Sequence, residues 1–215
     1  MSRVVLQAEV LATARAMNAC GINRGTAGNV SVRCDDGFIV TPTGMNYAAS
    51  EVADMVFVGL DGRVEGHRLP SSEWRFHRDI YAARPEAGAI VHTHSPFATS
   101  LACMAREIPA FHYMVARFGG DSVRCAGYAT FGTQELSDAI LVALAGRSAC
   151  LMAHHGMLVF GRDAAHALDM AVELETLAEQ YWRVLQLGTP QILSADEMLR
   201  VQEKFRDYGK QPGKA

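Results

Sequence analysis

Two histidine-bearing stretches of the chain have the residue types of a metal site. His92 and His94 end the apolar run in IVHTHS, and His154 and His155 follow the apolar run in LMAHHGMLVF. Successive side chains of a strand point to opposite faces, so His92 and His94 share one face, roughly 6 to 7 Å apart at the backbone. The same alternation lets only one of His154 and His155 reach a shared site. This pattern predicts a three-histidine site without cysteine, which is typical of a catalytic zinc with an open position.

The segment LPSSEWRFH contains a second candidate group. Ser71 or Ser72 is predicted to cap a helix whose first turn contains Glu73. An acidic residue there interacts favourably with the helix dipole and needs no catalytic role. From the residues alone, this structural role is the favoured interpretation of Glu73. Paired serines and free N–H groups at a helix start also form a phosphate cradle, and a neighbouring carboxylate can act as acid or base.

Two loops of small residues offer further donors. GTAGN (residues 25–29) and TPTG (residues 41–44) carry hydroxyl, amide and backbone N–H groups, without a P-loop lysine. Each loop by itself is typical of a turn.

The remaining pattern predicts the elements that position these groups. Helical periodicity fits residues 2–20, 72–84, 95–105, 133–146, 163–187 and 194–207, and strand-like runs are VSVR, GFIV, MVFV, AIVH, VRCA, CLMA and MLVF. The hairpin-like segments VSVRCDDGFIV and CLMAHHGMLVF favour antiparallel pairing in a layered α/β fold. No linker divides the sequence, so we expect one domain over residues 1–215 with a flexible tail from about residue 208.

Composition limits the partners. Twenty basic and 23 acidic residues give a net charge of -3 with no basic cluster, so we expect neither nucleic acid nor a membrane as partner. The N-terminal stretch carries Glu9 and Arg15 within its apolar pattern, which is typical of an amphipathic helix rather than a signal peptide. Five scattered cysteines without a C-x-x-C pair suit reduced thiols, so we expect a cytoplasmic protein.

Seven separated motifs together resemble a known family. GTAGNVSVR, TPTGMNY, LPSSEWRFH, IVHTHS, FHYMVA, YATFGT and AHHG occur in an order and at spacings similar to the class II aldolase/adducin superfamily, and within it to the L-fuculose-1-phosphate aldolases. The resemblance extends through EKFRDYG near the end of the chain. It implies a three-layer α/β/α fold around a mostly antiparallel sheet and a C4 homotetramer with active sites between subunits. It also implies one Zn²⁺ per subunit, which Mn²⁺ or Co²⁺ can replace.

The resemblance also implies roles for individual residues. The metal ligands would be His92, His94 and His155. Glu73 would be the acid/base at the substrate carbon, and Tyr113 of FHYM would act on the aldehyde oxygen across the subunit interface. Without the resemblance, an aromatic residue at position 113 is better explained by packing. The substrate phosphate would bind among Asn29, Thr43, Gly44, Ser71 and Ser72, with Thr26 and Gly28 shaping the first loop.

The implied reaction is reversible cleavage of a ketose 1-phosphate to dihydroxyacetone phosphate and an aldehyde. The chain departs from the fuculose pattern after H-x-H, after HYM and in the tail, which leaves the aldehyde open. L-Fuculose 1-phosphate, 5-deoxyribulose 1-phosphate and 5-methylthioribulose 1-phosphate are the candidate substrates. We expect Phe97, Arg117, Phe118 and Tyr208, which lie in the altered segments, to set the preference towards a 5-deoxy or 5-methylthio group.

Three other functions are compatible with the same superfamily. A ribulose-phosphate 4-epimerase forms the same enediolate, although HYM favours the aldolase branch. A methylthioribulose-1-phosphate dehydratase is the second alternative. An adducin-like binding module without a metal is the third, and the retained histidines and Glu73 argue against it.

Overall fold

The structure, a computed structural model, describes residues 2–209. Within that range, eight strands form one sheet in the order β4-β3-β2-β1-β5-β10-β9-β8, and β6 and β7 form a separate pair. Neighbouring strands of the sheet are antiparallel except for β8 and β9, which are parallel. The strands are β1 Asn29–Cys34, β2 Gly37–Val40, β3 Val56–Gly59, β4 Val64–Glu65, β5 Ala89–Thr93, β6 Ile108–Pro109, β7 Ser122–Val123, β8 Cys125–Ala126, β9 Ala149–Met152 and β10 Gly156–Gly161.

Helices cover both faces of the sheet. They are α1 Arg3–Ala19, α2 Trp74–Ala83, α3 Pro96–Cys103, α4 Gln134–Ala143, α5 Ala164–Leu187 and α6 Ala195–Phe205, with short 3-10 helices at Val52–Asp54 and Tyr113–Phe118. Helices α1, α3 and α5 bury their apolar residues against one face, and α2 and α4 pack against the other. This confirms the predicted three-layer α/β/α fold with a mostly antiparallel sheet. In the described residues, no helix combines the length and apolar character needed to cross a membrane.

The period of two in strand β5 determines which side chains reach which layer. Ala89 and Val91 belong to the core between the sheet and α1, α3 and α5. Ile90 belongs to the core on the α2 and α4 side. Because side chains alternate along a strand, His92 lies on the same face as Ile90, directed at α2. The polar groups described below therefore lie at the end of an otherwise apolar layer.

All six predicted helices and six of the seven predicted strands are present with small shifts at their ends. The exception is VRCA, which is not one strand. Ser122–Val123 pairs with Ile108–Pro109, whereas Cys125–Ala126 joins the main sheet beside β9. Arg124 lies between the two halves, and its guanidinium donates to carbonyl oxygens at the end of α4. The five cysteines are free thiols, and residues 210–215 of the predicted tail lie outside the described residues.

Helix α3 begins directly after the H-x-H segment, and a carboxylate from another helix holds its start. Glu175 of α5 accepts hydrogen bonds from the backbone N–H groups of Phe97 and Ala98, at 2.8 and 2.9 Å. It also accepts one from the Ser95 hydroxyl at 2.6 Å. Free N–H groups at a helix start are normally satisfied by a local cap, and a carboxylate there also interacts favourably with the helix dipole. Glu175 therefore anchors the segment that carries His94.

We predict that Glu175→Ala lowers the free energy of unfolding by about 1 to 3 kcal/mol, because a charged acceptor of three hydrogen bonds is lost. Urea denaturation measures the change. The matched control is Glu179→Ala on the same helix, where the carboxylate pairs with exposed Arg183. That variant should lose no more than about 0.5 kcal/mol. Equal losses in the two variants would show that Glu175 does not anchor α3.

Candidate active site

Strand register brings the first histidine beside a buried amide. Asn29 at the start of β1 is the direct partner of His92 on β5, so both side chains lie on the α2 face. His92 is fully buried, and its Nδ1 lies 2.8 Å from the carbonyl oxygen of Met157. This bond makes Nδ1 the donor and leaves Nε2 with the lone pair that a metal ligand needs.

A tight turn between β9 and β10 delivers the third histidine. His154 has φ 56°, an uncommon left-handed conformation for a residue other than glycine, and its N–H donates to the carbonyl oxygen of Ala102 at 3.1 Å. The turn sends His154 and His155 in different directions. His155 points at His92 and His94, whereas the His154 ring lies 5.8 Å from Tyr128, edge to face.

The three imidazoles form a nearly equilateral triangle. Ring centroids are 5.0 Å apart for His92 and His94, 4.9 Å for His92 and His155, and 4.8 Å for His94 and His155. One nitrogen from each ring lies within 4.8 Å of the others, so the group can hold a metal ion. The structure thus brings together the three histidines that the resemblance implied as ligands.

Glu73 closes the triangle from the start of α2. The prediction that Ser71 or Ser72 caps this helix was wrong, because Glu73 itself occupies the cap position and α2 begins at Trp74. Its side chain makes no cap hydrogen bond. Instead Ser71 accepts from the backbone N–H of Glu73 at 3.3 Å. The Glu73 carboxylate is released towards the histidines, with Oε2 at 3.2 Å from His92 Nε2 and Oε1 at 3.1 Å from His155 Nε2.

These short contacts do not satisfy the atoms involved. Glu73 Oε1 and His92 Nε2 are buried and lack a hydrogen-bond partner among residues 2–209, because their contacts are close but poorly aligned. Buried polar atoms are almost always paired with protein, water or an ion. Unpaired atoms on a carboxylate and an imidazole that face each other fit a bound cation.

Charge favours the same conclusion. Burial raises the pKa of Glu73, but nearby His92 and His155, when charged, outweigh it and hold that pKa well below its usual range. Burial, together with charge on the other two histidines, lowers the pKa of His94 to about 4. At neutral pH the site therefore contains an ionised carboxylate and a neutral His94, which are the forms that bind metals.

Two segments that carry predicted phosphate ligands, the TPTG loop and the stretch just before Glu73, lie side by side. Residues 41–43 run next to residues 69–71 through a Pro42–Pro70 bridge and backbone hydrogen bonds on either side of it. Of the predicted phosphate ligands, Thr43, Gly44 and Ser72 are exposed, whereas Asn29 and Ser71 are buried. Asn29 does not lie open to solvent, because its Nδ2 donates to Glu73 Oε2 at 2.9 Å. Its backbone neighbour Gly28 has no room for a side chain, since a Cβ would lie 2.6 Å from the carbonyl oxygen of His92.

A cavity of about 270 Å³ opens next to the histidines. Its wall comprises Ala27, Ser72, Glu73, His94, Tyr128, Ala129, Phe131, His154 and His155. Sequence reasoning missed Tyr128, Phe131 and His154 as wall residues, although YATFGT and AHHG had been singled out as motifs. Aromatic residues in a loop beside a polar site were the available signal.

Within the described part of the chain, the residues expected on the aldehyde side do not line this cavity. Phe118 is fully buried in the core, and Phe97 packs against Trp182. Arg117 and Tyr208 line a different cavity beside α5 and α6. Tyr113 is half exposed, stacks on Phe205 and belongs to a groove next to α6.

Gly156 determines the close packing of two ligand-bearing segments. A Cβ at this position would lie 2.4 Å from the carbonyl oxygen of Thr93 and 3.0 Å from Cδ2 of His94. We predict that Gly156→Ala lowers metal affinity about 10-fold or more, because it displaces His94 from the triangle. Competition with a chromogenic chelator measures the affinity. Gly127→Ala is the control, since a Cβ there meets nothing within 4 Å, and unchanged affinity in Gly156→Ala would contradict the prediction.

Comparison with known proteins agrees with this geometry. Residues 8–182 match the family described as Class II Aldolase and Adducin N-terminal domain. The 5-methylthioribulose-1-phosphate/5-deoxyribulose-1-phosphate aldolase of Rhodospirillum rubrum is 56% identical over 208 residues, covering 97% of this chain and 94% of the relative. The L-fuculose phosphate aldolase of Escherichia coli K12 is 45% identical over 210 residues, covering 97% of this chain and 98% of the relative.

A solved structure of an L-fuculose 1-phosphate aldolase superimposes with a TM-score of 0.91 at 36% identity, covering 94% of this chain and 96% of that one. Fold and length agree with these enzymes. The chain belongs to the class II aldolase and adducin family, and it is a class II, metal-dependent aldolase.

Proposed function

We propose that the protein is a zinc-dependent aldolase that reversibly cleaves a ketose 1-phosphate to dihydroxyacetone phosphate and an aldehyde. The observation that carries the proposal is the convergence of three imidazoles and one carboxylate at a single cavity. The Rhodospirillum rubrum relative and the solved structure named above support it, because their names specify sugars with the phosphate on carbon 1.

His92, His94 and His155 would hold the metal. Their fit rests on neutral nitrogen donors and on the unpaired Nε2 of His92. When bound, a divalent ion supplies a Lewis acid that stabilises negative charge on the substrate oxygens. Three nitrogen donors without thiolate favour Zn²⁺, and Mn²⁺ or Co²⁺ can use the same donor set.

Glu73 would carry the proton that the reaction moves at carbon. Cleavage breaks the bond between C3 and C4 of the ketose and leaves its electron pair on C3 as an enediolate. The hydroxyl at C4 loses its proton as the aldehyde forms, and C3 must gain one to yield dihydroxyacetone phosphate. We assign the second transfer to Glu73, whose carboxylate faces the cavity.

Tyr113 would manage the proton on the departing aldehyde from a neighbouring subunit. Tyr113 lines a different cavity from the one beside the histidines of its own chain, which supports this arrangement. A C4 homotetramer with active sites between subunits would supply it. The exposed hydroxyl and ring of Tyr113 are available for such a contact.

The phosphate would bind where the loops 41–44 and 69–72 meet. Exposed Thr43, Gly44 and Ser72 would donate directly, with Ser71 supporting the turn. Asn29 would contribute the second N–H of an amide whose first N–H is engaged by Glu73. Neutral donors and backbone amides can hold a dianion when they converge.

The aldehyde portion would lie against Tyr128, Ala129 and Phe131. Aromatic surface cannot satisfy a hydroxyl but gains free energy by covering a methyl or methylthio group. The physiological substrate would then be a 5-deoxy or 5-methylthio pentulose 1-phosphate.

We further propose that residues 1–215 form one cytoplasmic domain, supported by a sheet whose strands extend from Asn29 to Gly161 and by the free thiols.

The first prediction from the proposed function concerns the metal. Chelation should abolish aldol cleavage and Zn²⁺ should restore it. His155→Ala should lose most of the bound metal because two remaining ligands compete poorly with buffer, whereas the neighbouring His154→Ala should keep it. Elemental analysis of the purified variants measures the content. Equal metal loss in the two variants would overturn the ligand assignment.

The second prediction concerns Glu73. Glu73→Gln keeps the shape of the side chain but cannot carry a proton, so kcat should fall roughly 100-fold or more. Exchange of a dihydroxyacetone phosphate proton with deuterated water, followed by NMR, should disappear in the same variant. A kcat close to that of the unaltered enzyme would return Glu73 to a structural role.

The third prediction concerns the substrate. We expect kcat/KM for the 5-methylthio and 5-deoxy pentulose 1-phosphates to equal or exceed that for L-fuculose 1-phosphate, with release of dihydroxyacetone phosphate in each case. Phe131→Ala should lower kcat/KM for the methylthio substrate about 10-fold, as expected for the loss of roughly 1 to 3 kcal/mol of apolar contact. Leu187→Ala, which removes an exposed side chain elsewhere, is the control.

A clear preference for L-fuculose 1-phosphate would contradict the substrate assignment and leave the aldolase assignment intact. Conversion of a pentulose phosphate to its C4 epimer without release of dihydroxyacetone phosphate would identify an epimerase instead.

A further inference from the structure

A chain of buried polar side chains runs from Glu73 into the protein interior. Asn29 Nδ2 lies 2.9 Å from Glu73 Oε2, and Asn29 Oδ1 lies 2.6 Å from His77 Nε2. His77 Nδ1 lies 2.7 Å from Ser31 Oγ, which lies 2.8 Å from the Tyr81 hydroxyl. None of the five residues is more than 5% exposed. We call these five residues the buried polar chain.

The two ends of the buried polar chain fix its direction. An ionised Glu73 can only accept, so Asn29 must turn its NH₂ group towards the carboxylate and its carbonyl oxygen towards His77. His77 Nε2 must then donate to that oxygen. Burial, aided by charge on His92, lowers the pKa of His77 to about 3, so at neutral pH the ring carries one proton.

The direction continues beyond the ring. Because Nε2 of His77 carries the proton, Nδ1 accepts from the Ser31 hydroxyl. Ser31 accepts in turn from Tyr81. Every donor thus has one acceptor, and the opposite orientation would place the Asn29 carbonyl oxygen against the Glu73 carboxylate.

The spacing of these residues matches their elements. His77 and Tyr81 share one face of α2, and Glu73, the cap residue, lies four residues before His77. Asn29 and Ser31 are alternate residues of β1 on the sheet face that packs against them. The surroundings are apolar, since Phe38 and Phe76 flank the His77 ring. Apolar residues would satisfy packing there, and buried polar groups are costly unless each is paired. The polar residues instead give the Asn29 amide, at the Glu73 end of the buried polar chain, a defined orientation.

We propose that His77 is a positioning residue that acts on Glu73 through Asn29. By donating from Nε2, His77 holds the Asn29 carbonyl oxygen and keeps the amide NH₂ directed at Glu73 Oε2. Without that hold, the Asn29 side chain can rotate away from Glu73, and the hydrogen bond that fixes Oε2 in place is lost. This inference rests on the proposed role of Glu73 as the proton carrier.

The test compares two substitutions of His77 in the metal-loaded enzyme. His77→Phe fills the same space but cannot donate, so kcat should fall about 10-fold to 100-fold, with metal content kept and KM changed less than about 3-fold. His77→Gln can donate from its amide to Asn29 and should recover kcat to within about 5-fold of the unaltered enzyme. Failure of His77→Gln to improve on His77→Phe would overturn the inference.

A double-mutant comparison separates positioning from a general structural effect. In a Glu73→Gln background, His77→Phe should lower the residual rate no further, because its effect passes through the missing carboxylate. An equal fall in both backgrounds would overturn the inference.

Two buried hydroxyls provide a matched control. Ser31→Ala removes the hydroxyl that donates to His77 Nδ1, and Ser137→Ala removes an equally buried hydroxyl that bonds to Asp79 instead. Only Ser31→Ala should lower kcat, by several-fold. Equal kcat values in the two variants would overturn the inference, and both variants remain measurable if His77→Phe does not fold.

Nitrogen-15 NMR of the histidine rings provides a readout that does not need turnover. His77 should carry its proton on Nε2 in the unaltered protein, and a proton on Nδ1 would overturn the inference. Failure of the proposed function looks different, since the unaltered enzyme would then cleave no ketose 1-phosphate. If cleavage occurs and depends on Glu73 but not on His77, the inference alone fails.

Discussion

The site depends on burying a carboxylate among three imidazoles at the end of an apolar layer. Taking ionisable groups out of water is unfavourable unless opposite charges and hydrogen bonds compensate. Here Glu73 lies within 3.2 Å of two imidazole nitrogens, and its second oxygen has no hydrogen-bond partner in the described chain. A bound cation or a protonated ring would supply the missing partner. These unpaired polar atoms agree with the metal dependence of the family.

The antiparallel sheet makes this arrangement possible. Asn29 and His92 are direct partners on β1 and β5, and β10 lies on the other side of β5, so the turn before β10 ends near the same point. Backbone pairing extends along β5 to Thr93 opposite Met157, so His92 lies within the ladder and His94 and His155 lie just beyond its end. The rigid ladder fixes the positions of the three histidines, while the irregular segments that follow it provide the open side of the cavity.

Helix α2 connects the Glu73 carboxylate to the protein interior. Glu73, which caps the helix, faces the three histidines, and His77 and Tyr81, one and two turns later, face β1 through paired polar atoms. The helix therefore contributes a carboxylate whose two oxygens lie in different environments. Oε2 accepts from the Asn29 amide, and Oε1 faces His155. Helix α3 is fixed differently, by a carboxylate from α5 that satisfies its first N–H groups.

The sequence by itself determined the helices, most of the strands and the H-x-H pair, because periodicities of 3.6 and 2 are local properties of the chain. It also carried the motifs from which the family could be recognised. It misplaced the start of α2. A serine before a glutamate is a good local cap, whereas the contacts of Glu73 with the histidines join residues that are distant in sequence.

Tertiary structure alone decided the rest. Alternation along a strand could not choose between His154 and His155, and the choice follows from a left-handed turn at His154. The tertiary structure also places Phe118 and Arg117 away from the cavity and Tyr128 and Phe131 in its wall. The pairing of His77 with Asn29 depends on how α2 packs on β1, a register between two elements that no local pattern specifies.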